Sequence, residues 1–124
     1  LFLGTATLSA LEGSQQPEAN AVVKALDGFH EIIRPIWHKA YPAKDIAALK
    51  AYVPQIKTAL EAVNQAVLPE TLKAKEAEWK KQLLEFNKAA DAYYAAASGT
   101  DDEALLKAAS ELHSQYEMTQ DLVR

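Results

Sequence analysis

The sequence predicts an all-α protein, an antiparallel up-down-up-down four-helix bundle with a short N-terminal extension. Three observations predict it. From Pro17 onward, apolar residues recur at alternating spacings of three and four along four successive stretches, which is the period of one helix face. The stretches are similar in length and are separated by short turn signals at Tyr41-Pro42, Leu68-Pro69 and Ser98-Gly99. A half-buried strand would need alternation by two, which these seams lack.

The elements follow in order. Residues 1–16 form the extension, and residues 17–124 form the bundle, with helices over about 17–41, 44–67, 69–97 and 101–123. The first seam is Val22, Leu26, Phe29, Ile33, Ile36 and Ala40, ended by Tyr41-Pro42; the second is Ile46, Leu49, Val53, Ile56, Leu60, Val63 and Val67, ended by Leu68-Pro69. The third is Leu72, Glu76, Trp79, Leu83, Phe86, Ala90, Tyr93 and Ala97, where Gly99 offers a left-handed cap. The fourth is Leu105, Ala109, Leu112, Tyr116, Thr119 and Val123, opened by Thr100-Asp101-Asp102-Glu103 in the pattern of a capping box. Pro35 and Pro54 fall away from their seams, where each costs a backbone bond and a kink without ending the helix.

Composition narrows the function classes. The 124 residues, 49% of them hydrophobic, make one domain able to bury a single core. A net charge of −4, with lysines dispersed among acids, offers little attraction for nucleic acid. The absence of cysteine excludes disulfides, thiolate metal sites and covalently attached haem. The opening LFLGTATLSALEGSQQ reads as the remnant of a signal peptide, with Gly4-Thr5-Ala6 as a small-x-small cleavage site, so an exported, periplasmic location is expected. No later stretch is long and apolar enough to span a membrane. The chain carries no His-Glu-x-x-His, no repeated Glu-x-x-His and no glycine-rich phosphate loop, and it reads as a non-enzyme.

The three histidines are the chemically informative residues. His30 follows Phe29 and His113 follows Leu112, so both flank a core seam; His38 falls on the outer line of Lys24 and Glu31 unless the kink at Pro35 turns it inward. At 1.5 Å per residue, His30 lies roughly 16 Å from the end of helix one and His113 roughly 18 Å from the start of helix four, which sets them level across an antiparallel pair. His38, roughly 12 Å along the axis from His30, is too distant to share one ion with it. Glu117, four residues after His113, can converge on the same ion. Asp27, Glu31 and Glu76 are additional acids; Glu76 sits on a seam, where it pairs with a lysine, lies in a frayed first turn or points toward an ion.

The run ALLKAASELHSQYEMTQDLVR and the four-helix pattern, over residues 20 to 124, resemble the exported cytochrome c′ and cytochrome b562 group. That resemblance implies a periplasmic bundle with a site near helix four. The Cys-x-x-Cys-His motif of cytochrome c′ is absent, which leaves only noncovalent haem b, ligated by His30 with His113 or by a histidine with Met118. Ile36-Trp37-His38 and the segment Leu112-His113-Ser114-Gln115-Tyr116-Glu117 are similar to segments of small haem-free periplasmic bundles, which raises the standing of His38. The expected function is therefore metal buffering or carriage. A divalent transition metal, zinc or copper before nickel, would be held by His30, His113 and Glu117, with His38 as a further ligand or second site. A haem b bundle and a metal-free interaction module are the alternatives, and a homodimer is compatible with either.

Overall fold

The computed structural model describes residues 21–124; the N-terminal extension, its cleavage site and the predicted helix start at residue 17 lie outside them. Every regular element among the described residues is helical. Helix α1 covers 21–35 and runs on into a π-helical turn, Ile36–Ala40. Then come α2 (Ile46–Ala51), α3 (Val53–Gln65), a 3₁₀ segment (Glu70–Lys75), α4 (Glu76–Ala97) and α5 (Asp102–Val123).

The seams close on one core. Leu26, Phe29, Ile36, Leu49, Ile56, Phe86, Tyr93, Leu105 and Leu112 are fully buried, and apolar neighbours from every helix pack around them. Phe29, Phe86 and Tyr116 form its aromatic centre, with ring centroids 4.8 Å (Phe29–Phe86) and 5.6 Å (Phe29–Tyr116) apart. Tyr93 enters the core hydroxyl and all, which is possible because its OH donates to the Leu49 carbonyl at 2.6 Å.

Polar ties fix how the helices lie along one another. Gln82 on α4 donates to Gln115 Oε1 at 2.7 Å and to Thr119 Oγ1 at 3.3 Å, while Lys75 donates to the Leu122 carbonyl at 3.1 Å. Earlier residues of α4 thus meet later residues of α5, so this pair is antiparallel. Asn64 and Asn87 exchange amide bonds of 2.9 and 2.8 Å between α3 and α4. Asp27 and Arg124 form an ion pair that fastens the end of α5 to α1.

The turn chemistry departs from the sequence reading in places. The second stretch is broken at Tyr52, and Pro54 sits in the first turn of α3, where its missing N–H costs nothing. Ala66 is extended ahead of Leu68-Pro69, so the helix ends at Gln65 and Val67 is 55% exposed rather than on a seam. Pro69 is followed by a 3₁₀ segment, and α4 begins only at Glu76. Asp101, not Thr100, caps α5 by accepting from Ala104 N–H at 3.2 Å, and Gly99 is not left-handed.

Among the described residues, Lys44 alone is left-handed, with φ 53°. Its N–H bonds to the Tyr41 carbonyl at 3.0 Å and that of Asp45 bonds to the Ala40 carbonyl at 2.9 Å, the paired bonds of a Schellman motif in which glycine is the usual occupant. Asp45 then caps α2 through Ala48 N–H. Replacing Lys44 by glycine relieves the steric cost and is expected to stabilise the fold by about 0.5–1 kcal/mol, read as a higher urea midpoint at unchanged slope. An unchanged or lower midpoint would assign the lysine side chain a stabilising role of its own.

Candidate metal centre

The site begins with a proline. Pro35 supplies no N–H, and its ring crowds the carbonyl four residues back, so the α-helical ladder cannot pass through it undisturbed. Directly after it the helix is wider: the segment Ile36–Ala40 is π-helical, and Tyr41 N–H closes it on the Ile36 carbonyl at 2.7 Å. The wider turn re-aims the side chains that follow. Ile36 stays in the core, and Trp37, half-buried, faces α5.

There Trp37 lies over His113, with ring centroids 4.1 Å apart and planes within 6° of parallel. It also stacks on Tyr41 at 4.7 Å. The His113 side chain is 18% exposed, and its Nδ1 is 3.7 Å from Glu117 Oε1 one turn later on α5. Burial pushes the His113 pKa below the ordinary histidine value; Glu117 opposes this, and His38 and then His30 add to the lowering. The three histidines are the chain's full complement, and the other two both act electrostatically on His113.

The heights differ from the sequence expectation. His30 stacks on Tyr116, with centroids 5.8 Å apart, while His113 is opposite Trp37. Tyr41 lines a groove with Leu106 and Ser110, so the end of α1 is set more than a turn inside the start of α5 rather than level with it. The sequence estimate assumed level ends. With the observed offset, His113 falls between the levels of His30 and His38, nearer His38.

His30, His38 and Glu117 are exposed, and His113 is the partly buried member. The additional acids are engaged elsewhere. Asp27 pairs with Arg124, Glu31 with Arg34 at 3.3 Å, and Glu76 with Lys73 at 3.8 Å in the first turn of α4. Met118 is 53% exposed and lines a shallow groove with Glu78, Lys81 and Glu85. Among the described residues, no three His, Asp or Glu side chains stand together in positions to hold a metal ion.

From the sequence, Trp37 enters only as part of the Ile36-Trp37-His38 segment, with no place in the site. The signal available for it was Pro35, two residues earlier, because a proline inside a helix can shift the register of the turn that follows. Comparison with protein families, with curated proteins and with solved structures found no match to this chain.

The lowered His113 pKa ties stability to pH. The folded state binds a proton at this ring less readily than the unfolded chain, whose histidine titrates near 6.5, so stability is full above that value and declines as pH falls through it. Urea unfolding at pH 7.5 and pH 5.5 is expected to show this decline, and His113→Gln to reduce it. An undiminished decline in the variant would place its source in other groups.

Proposed function

We propose that the protein binds a divalent transition metal at the groove between α1 and α5. In this reading His113 is the central ligand, His38 and His30 approach from α1 on either side, and Glu117 supplies a carboxylate. The observation that carries it is the placement of His113, partly buried on α5 with Glu117 Oε1 at 3.7 Å, where burial disfavours its protonated form and the exposed His38 and His30 of α1 are near enough to act on it electrostatically. A neutral imidazole has the lone pair that a metal requires. Nitrogen-rich sites with a carboxylate suit zinc or copper best, nickel less specifically.

The exposed side chains would close on the ion when it arrives. His30, His38 and Glu117 have rotamer freedom, while His113 provides a fixed point. Of the two α1 histidines, His38 affects His113 more strongly and is the stronger candidate to join it. No substrate chemistry is required of such a site, and buffering or carriage is its natural use. We read the architecture as an up-down-up-down four-helix bundle in which α2 and α3 together form the second, broken helix, and the apolar, small-residue N-terminal segment supports placing it outside the cytoplasm.

A metal-free interaction module is the second reading, favoured by an open, largely apolar groove between α1 and α3 lined by Ala25, Gly28, Ile32, Ala59 and Ala62. Noncovalent haem has less support, because the aromatic centre occupies the interior and Met118 faces outward.

Thermal unfolding with added zinc or copper separates these readings. At a free metal concentration one hundred times Kd, the expected stabilisation is about 2.7 kcal/mol, on the order of 10 °C in Tm for a chain of this size. His113→Ala is expected to abolish the shift and His38→Ala to weaken it more than His30→Ala. Lowering the pH through the histidine range should reduce it as protons compete for the ligands. No shift with either metal would remove the main reading, and a Soret band on haem titration would favour the cytochrome-like alternative.

A further inference from the structure

Within the metal reading proposed above, on which this inference rests, one residue has a role that burial alone does not explain. We infer that Trp37 is a positioning residue: its indole face, turned toward α5 by the π turn, fixes the plane of the His113 imidazole for coordination.

Both nitrogens of an imidazole lie in the plane of the ring, and both bond along that plane. A contact on the face of the ring therefore leaves its ligating atoms open while preventing the ring from turning. The Trp37–His113 contact is of this kind, with planes only 6° apart and centroids at 4.1 Å. The last torsion of a histidine side chain is broad by itself, so the helix backbone of α5 does not choose this plane. The indole does.

Trp37 is itself held. The π turn Ile36–Ala40 sets its direction, and Tyr41 stacks on it at 4.7 Å. Glu117 Oε1 stands 3.7 Å from His113 Nδ1, one turn along α5. The stack thus leaves the His113 ring little rotational freedom to lose when an ion binds. A residue present only for bulk would need neither flatness nor this orientation.

The test compares Trp37→Phe, which keeps a flat aromatic surface, with Trp37→Leu, which keeps apolar cover without one. Circular dichroism checks that each variant folds, and Trp37→Met replaces the leucine variant if it does not. In the metal-free full chain, the His113 ring protons are expected to show an upfield ring-current shift by NMR, largely kept in Trp37→Phe and lost in Trp37→Leu. Calorimetric titration with Zn²⁺ is expected to give a Kd about tenfold weaker or more for Trp37→Leu, and within about threefold of the parent for Trp37→Phe, in the range seen when outer-shell partners of a ligand are removed. A leucine variant that binds Zn²⁺ as tightly as the parent, or a phenylalanine variant that loses as much as leucine does, overturns the positioning role while leaving the metal site standing. A parent that binds neither Zn²⁺ nor Cu²⁺ overturns the site itself and the inference with it.

Discussion

The contact on which the site depends is the stack of Trp37 on His113, made from the π turn that directly follows Pro35 in α1. A proline inside a helix usually costs stability, on the order of 3 kcal/mol. Here the turn that follows is π-helical, closed by Tyr41 N–H on the Ile36 carbonyl, and Trp37 within it makes aromatic contacts with His113 and Tyr41 that offset part of that cost. Without the widened turn, Trp37 would keep the direction of a regular helix and the groove beside His113 would stand open.

Around this contact the rest of the molecule acts as a rigid frame. The buried aromatic centre of Phe29, Phe86 and Tyr116 sets the separation of α1, α4 and α5, while the Gln82–Gln115–Thr119 network fixes how α4 and α5 lie along one another. Tyr116 links frame and site. It packs on Phe29 with one part of its surroundings and stacks with His30 at the edge of the groove, while its hydroxyl donates to Gln120 at 3.0 Å. The Asp27–Arg124 pair closes the far end of the same groove. Surface ion pairs contribute little to stability, so its main effect is on where the last turn of α5 lies.

Much of the fold was legible because burial repeats with the helical period. Val22, Leu26, Phe29, Ile33, Ile36 and Ala40 were read as one seam, and all are buried; so are Leu105, Ala109, Leu112, Tyr116 and Thr119 on α5. The ends of elements were less legible. Val67 continues its seam by spacing, yet the helix has already ended at Gln65 with Ala66 extended, and Lys44 takes a conformation that the sequence marks with no glycine. At the site, the seam-flanking places of His30 and His113 could be read from their neighbours Phe29 and Leu112. Their relative height could not, because it depends on how far the end of α1 is inset from the start of α5. The role of Trp37 was hidden for a related reason: a π turn adds a residue to the helical period without leaving a distinctive residue of its own.

The metal reading proposed above would have His113 anchor an ion between α1 and α5. The most direct measurement is anomalous diffraction at the zinc and copper edges from crystals grown with each metal. The account predicts a peak about 2 Å from a ring nitrogen of His113, with a histidine of α1 completing the contact and Trp37 still flat against the imidazole. A groove without anomalous density, or metal held only at surface carboxylates away from His113, would contradict it.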